Sequence, residues 1–185
     1  MEAVGIGLLS LLYLYVAYLT RVPEVSEEYR AYYIDRSTSD WRPARYSAPV
    51  ESGVDFSREG YPDFLRYTRG LSGREEWGRW TDARLHPYAE LVFDQPFFGA
   101  ICVSIKARAA GKQGGKVARI RLGDSERSFV TPGADWSLYV FDITLERPAS
   151  SLEIHPSAPS AASPSDRRLI ALGLRHVRVV QGPCS

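Results

Sequence analysis

The sequence predicts an all-β protein: a jelly-roll-like antiparallel β-sandwich preceded by one N-terminal transmembrane helix. Three observations carry that expectation. Ala3 to Thr20 form an uncharged apolar run. From about Val54 onward, apolar residues alternate with polar ones at the period of half-buried strands. Turn-forming residues then recur at the intervals of a sandwich, in Gly111 to Lys116, Gly123–Asp124, Pro132–Gly133 and Pro148–Ala149.

Composition agrees with one globular domain carrying an attachment. The chain has 185 residues, 44% of them hydrophobic and 24% charged, which fits neither collagen, a disordered chain nor a polytopic membrane protein. Its 23 Lys and Arg against 22 Asp and Glu leave a net charge of +1, without the basic excess of a nucleic-acid-gripping domain.

The first element is the apolar run. As a helix it would rise about 27 Å, close to the roughly 30 Å of a bilayer's hydrocarbon core. Tyr13, Tyr15 and Tyr18 crowd its C-terminal half and Arg21 closes it, as at a lipid interface. A cleaved signal peptide is the rival reading. No Lys or Arg precedes the run, however, and no small-x-small site follows it, so residues 1–21 read as an uncleaved anchor. Arg21, Arg30 and Arg36 follow the run, which under the positive-inside rule is a weak vote for a cytoplasmic domain.

Residues 22–52 read as a juxtamembrane tether. Pro23, Ser26, Glu27 and Glu28 resemble a helix start, and Val25, Tyr29, Tyr32 and Tyr33 recur at helical spacing, so a short helix is expected over about 24–35. Ser37 to Asp40, Pro43 and Pro49 end it. The tyrosines fit either lipid headgroups or the sandwich.

Residues 53–181 form the expected sandwich and 182–185 a tail. Ala89, Leu91 and Phe93 mark one strand; Ile101, Val103, Ile105 and Ala107 a second; Ala118, Ile120 and Leu122 a third. Leu138 and Val140 lead into Phe141, Ile143 and Leu145, then come Leu152 with Ile154, and Ile170, Leu172 and Leu174 running on to Val177 and Val179. The Pro/Ser/Ala-rich stretch 155–166 reads as a long exposed loop.

Most candidate motifs dissolve on inspection. Gly70 to Arg74 approaches a nucleophile elbow but has Arg74 where the second glycine belongs. Gly111 to Val117 mimics a phosphate loop, yet Val117 stands where Ser or Thr would hold magnesium, so a hairpin turn is expected. His86, His155 and His176 lack metal-ligand spacing, and neither a metal nor another cofactor is implied. Cys102, on the non-core face of its strand, and Cys184, in the tail, leave a disulfide open.

One cluster stands out, residues 71–82. It packs Trp77, Trp80, Arg74, Arg79, Glu76 and Asp82 around Gly73 and Gly78. Flat aromatic rings stack on the apolar faces of sugars, while Arg and carboxylates bind hydroxyls or anionic groups bidentately, so these six residues are the candidate carbohydrate-binding set. The alternative is structural: a tryptophan plugging one end of the sandwich above an Arg79–Glu76 ion pair. Glu75, Glu76 and Asp82 as acid and base are disfavoured, because adjacent strand residues point to opposite faces. No catalytic residue is assigned.

Asp55 to Leu65, the Glu75-Glu76-Trp77-Gly78-Arg79-Trp80 core, Ile105 to Ala109, Leu122 to Asp124 and Arg168 to Leu174 together resemble the C-terminal β-sandwich domain of bacterial phosphoglycerol transferases. The resemblance covers about residues 54–181, and related sandwiches accompany other bacterial membrane glycosyltransferases. It implies an inner-membrane, single-pass protein with a periplasmic globular domain, working on or beside glycan or lipid-linked glycan. The metal-dependent catalytic domain of those transferases has no counterpart here. The expectation is therefore an accessory module in envelope or periplasmic glycan synthesis that binds glycan without catalysis. The alternative is a structural subunit docking on a membrane glycosyltransferase or phosphoglycerol transferase. Its partners would be that enzyme, a glycan and the lipid bilayer, with no nucleic acid.

Overall fold

The alternating segments pair into two antiparallel layers that enclose one apolar core. A computed structural model describes residues 2–21, 25–26, 29–38, 44–161 and 163–184. In chain order the elements are α1 (Glu2–Arg21), β1 (Arg45–Tyr46), β2 (Val54–Asp55), β3 (Tyr61–Pro62), β4 (Leu65–Arg69), β5 (Arg79–Asp82), β6 (Ala89–Ala109), β7 (Val117–Leu122), β8 (Ser125–Val130), β9 (Ser137–His155) and β10 (Ile170–Gln181).

Two long strands build both layers. The first half of β6 pairs with β4 on one side and with the second half of β9 on the other, and β7 and β8 extend that layer. The second half of β6 pairs with β10 and with the first half of β9, while β2 and β5 border β10. The chain thus passes repeatedly from layer to layer, as in a jelly roll, and the antiparallel β-sandwich expected from the alternation is present. Only β1 and β3 pair in parallel among the described strands.

The corners explain why single strands read as pairs in the sequence. The β6–β9 ladder breaks between Val92 and Phe97 and again between Phe97 and Gly99. Pro96 and Pro148 both fall in this break, where a residue without an N–H removes no ladder bond. The turn expected at Pro148–Ala149 is therefore a bend inside β9, not a chain reversal.

Side-chain parity mostly follows the sequence. Leu91, Val103, Ile105, Ile120, Leu122, Leu152, Ile154 and Leu174 are completely buried. In β10 the inward parity changes from Leu174 to Val177, at a register shift between Leu174 and His176. In β9 the expectation fails at its start: Leu138 and Val140 are 66% and 51% exposed, while Tyr139 and Phe141 pack on the core. The core face there is the odd-numbered one, which runs on to Ile143 and Leu145. Cys102, expected outside the core, is buried because the C-terminal segment crosses β6 and Cys184 forms a disulfide with it, Cα to Cα 4.9 Å. Asp142 Oδ1 accepts the Cys184 N–H at 2.8 Å and steadies that crossing.

The helix expected over Ala3 to Thr20 is present as α1. Leu9 through Leu19 include large apolar side chains exposed on every side of it, Leu11, Leu12, Tyr13 and Leu14 among them. Among the described residues, however, no helix is long and apolar enough to cross a membrane, so a span is not established by the fold. In the tether, Ser26 Oγ accepts the Tyr29 N–H at 3.2 Å, and Arg30–Ile34 form one wide π-helical turn. The helix-start residues Pro23, Glu27 and Glu28, and the breakers Asp40 and Pro43, lie outside the described residues. Tyr33 contacts the rings of both Tyr29 and Tyr32, at 4.7 and 4.8 Å. The Gly70 N–H donates to Ser37 O at 2.7 Å, joining the tether to the loop after β4.

Candidate functional site

The site is assembled by register. Gly173 of β10 is flanked by Trp80 of β5 on one side and Arg108 of β6 on the other. Its neighbours Leu172 and Leu174 point into the core, so Gly173 lies on the outer face. Lacking a side chain, it lets its neighbours close over the strand: a Cβ there would stand 3.0 Å from both Trp77 Cζ3 and Trp80 Cζ3.

Trp77 arrives from the tight turn Glu75 to Gly78, which is closed by two backbone hydrogen bonds of 2.8 and 3.1 Å. Gly78 is required by this turn. Its φ is 149°, and a Cβ would meet Leu174 O at 2.2 Å. Trp77 packs edge-to-face on Trp80 with centroids 4.7 Å apart and lies 5.5 Å from Trp136, which precedes β9. The Arg108 guanidinium stands 4.1 Å from the Trp77 ring, 4.7 Å from Trp136 and 5.2 Å from Trp80.

Beside this cluster opens a cleft of about 500 Å³, lined by Trp80, Arg108, the small residues after β6, Ser160 and Ile170. Its walls are tied down by the backbone. Ala110 N–H donates to Ala171 O at 2.8 Å, Ala109 N–H to Gly133 O at 2.8 Å, and Ser160 and Ile170 exchange two hydrogen bonds of 3.0 Å. A mostly apolar cleft with an indole, a cation and a hydroxyl can hold a ligand having both a flat apolar face and polar substituents.

The six sequence-predicted residues separate in space. Trp77 and Trp80 come together at the cleft. Arg79 lies on the opposite face of β5, 3% exposed, where Nη1 donates to Ser72 O at 3.1 Å and the guanidinium covers the Tyr61 ring at 4.8 Å. Asp82 is buried, and its Oδ1 accepts the backbone N–H groups of Arg84 and Leu169, each at 3.0 Å. Arg74 is exposed and donates to Ser57 O at 3.2 Å, and Glu76 is exposed.

Arg108 and Trp136 escaped the sequence reading, because they are remote from residues 71–82 and meet them only through strand register. The available signal was Gly173, a glycine inside an apolar strand, which marks a close approach. Glu75 and Asp166 both pair with Arg168 at 2.8 Å, linking the tryptophan turn to the loop after β9. Hydrogen bonds from Arg168 hold the Asp166 carboxyl down at about 2, and the two carboxylates raise the arginine above its ordinary value.

A second polar group lies on the other layer. Arg121 grips Glu153 bidentately at 2.6 and 3.0 Å, and His155 Nε2 meets the same carboxylate at 2.7 Å. Burial pushes the Glu153 carboxyl up, but the hydrogen bonds from Arg121 and His155 outweigh it and leave the group below its ordinary value. Burial, with the nearby Glu153 and Glu90 charges, raises the Tyr88 phenol. The Tyr88 ring packs on His155 at 4.4 Å and on His86 at 4.2 Å. Among the described residues no group of three or more His, Cys, Asp or Glu could hold a metal ion.

Comparison with known proteins relates the sequence to part of a bacterial transferase. It is 26% identical over 130 residues to phosphoglycerol transferase I of Salmonella typhi and of Salmonella typhimurium, covering 68% of this chain and 17% of each relative. The chain thus spans well under a third of the length of the curated relatives it matches. Among solved structures it is similar to a mutant of a family 29 carbohydrate-binding module, at a TM-score of 0.46 and 11% identity, over 71% of this chain and 89% of that one. It is also similar to the C-terminal family 6 module of a laminarinase from Zobellia galactanivorans, at a TM-score of 0.41 and 9% identity, over 69% and 97%. The profile of one family, described as a domain of unknown function (DUF7024), matches residues 40–181, and the chain belongs to that family.

Proposed function

We propose that the chain is a noncatalytic accessory module that binds glycan at the bacterial cell envelope, beside a membrane glycosyltransferase or phosphoglycerol transferase. In this reading α1 holds it at the inner membrane and the sandwich lies on the periplasmic side. The observation that carries the proposal is the outer-face cluster of Trp77, Trp80 and Trp136 beside the 500 Å³ cleft. Indole faces are the surface on which sugar rings stack. The similarity to phosphoglycerol transferase I supports the envelope setting, and the Cys102–Cys184 disulfide suits an oxidising compartment. Nearby carboxylates have structural work: Glu75 is paired with Arg168, and Asp82 accepts two backbone N–H groups.

The test is titration of the full chain with periplasmic glucans and envelope polysaccharides. Trp80→Ala is expected to weaken binding by about 1–2 kcal/mol, the scale of a lost stacking contact, with an unchanged circular dichroism spectrum. An intact wild-type chain that binds none of these polymers overturns the proposal.

A second reading rests on α1. A helix exposing apolar side chains all round needs lipid or other helices to cover it, which also suits a structural subunit docking on a membrane enzyme. Replacing α1 with an unrelated apolar helix separates the two. A glycan binder keeps its function in the cell after the exchange, whereas a docking subunit loses co-purification with its enzyme.

A further inference from the structure

Arg108 is the part of the cleft that a neutral ligand leaves unused. Its Nε is buried without a hydrogen-bond partner, and among the described residues no carboxylate pairs with it. Of the acidic groups of the adjoining turn and loop, Glu75 and Asp166 are engaged by Arg168, and Glu76 is exposed. Three indoles surround its guanidinium, and ring faces attract the cation without accepting its N–H groups. A half-buried guanidinium placed in this way retains its charge and its planar fork of donors, and an oxyanion is a group that satisfies both. The alanines and the glycine that follow leave room beside it, and Ser160 supplies a hydroxyl across the cleft.

We infer that the cleft selects saccharides bearing an oxyanion, a phosphate ester or a carboxylate, with Arg108 holding the anion while Trp80 carries the sugar face. This rests on the glycan-binding reading and adds the charge of the ligand to it. Balanced net charge does not oppose it, since the recognition is local: Arg108 has no carboxylate partner among the described residues, whereas Arg168 of the adjoining loop is matched by two.

The experiment uses the full chain in a polyoxyethylene detergent, which carries no sugar headgroup, and follows binding by calorimetry. Four probes are compared: a neutral gluco-oligosaccharide, the same oligosaccharide bearing one phosphate monoester, its uronic-acid analogue, and inorganic phosphate. The two anionic oligosaccharides are expected to bind about tenfold more tightly than the neutral one at low salt, the scale of one charge-assisted contact. That advantage shrinks as ionic strength rises. Arg108→Gln is expected to erase the advantage, so that neutral and anionic oligosaccharides bind the variant within about twofold of each other, whatever the variant's absolute affinity. Arg108→Lys, which keeps the charge and loses the fork, is expected to keep only part of it and decides the matter if the Gln variant does not fold.

Equal affinity for neutral and anionic oligosaccharides overturns the inference and leaves the glycan-binding reading standing. Inorganic phosphate binding as tightly as the phosphorylated oligosaccharide overturns it too, by showing an anion site that ignores the sugar. Failure of every oligosaccharide to bind overturns both readings.

Discussion

The atom that matters most at the candidate site is one that is missing, the Cβ of Gly173. Its absence lets two indoles from the turn and strand at 75–82 and a guanidinium from β6 close over one strand. Gly173→Ala would set a methyl 3.0 Å from both Trp77 and Trp80, tighter than ordinary packing, so the tryptophans must move. The expected outcome is a loss of about 1–3 kcal/mol in urea unfolding, the usual cost of overpacking, together with a shift in tryptophan emission. Trp77 and Trp80 were legible in the sequence because they sit three apart between glycines and carry an obvious ring chemistry. Their partners Arg108 and Trp136 were not, because contact across strands depends on register, and register is a property of the whole sheet. Arg79 and Asp82 are placed differently. Their residue types suit a ligand, but strand alternation turns Arg79 away and backbone N–H groups occupy Asp82.

Among the elements, β9 records best how far alternation can be trusted. Its second half obeys the pattern, with Leu152 and Ile154 completely buried, because only one parity there is apolar. Its first half carries apolar residues on both parities, Leu138 and Val140 against Tyr139, Phe141 and Ile143, so the sequence alone does not choose the inner face. The larger aromatic pair packs inward. Ile143→Ala is accordingly expected to lower unfolding stability by about 2–4 kcal/mol, whereas Val140→Ala, at a half-exposed site, changes it by less than about 0.5 kcal/mol. Chemical denaturation of the two variants side by side measures the parity directly. The strands that went unread, β1 to β5 and β8, are short or have strongly polar faces, and β4, β5 and β8 become strands because a neighbour offers them a ladder.

For the molecule as a whole, the main constraint beyond the core is the Cys102–Cys184 disulfide, which closes a sequence separation of 82 residues. Cross-linking a loop of that size stabilises a fold by about 4–5 kcal/mol, chiefly by restricting the unfolded chain. Cys184→Ser is therefore expected to lower the urea midpoint by a corresponding amount, and dithiothreitol is expected to lower the wild type to the same value while leaving the variant unmoved. A midpoint insensitive to both changes would show that the bond does not form. The two layers impose a further constraint through β6 and β9. Both strands continue through both layers, bending where their ladder is interrupted, so each layer is built from the same two lengths of chain as the other. The two layers are therefore not separable parts, and a cut in either strand would be felt in both.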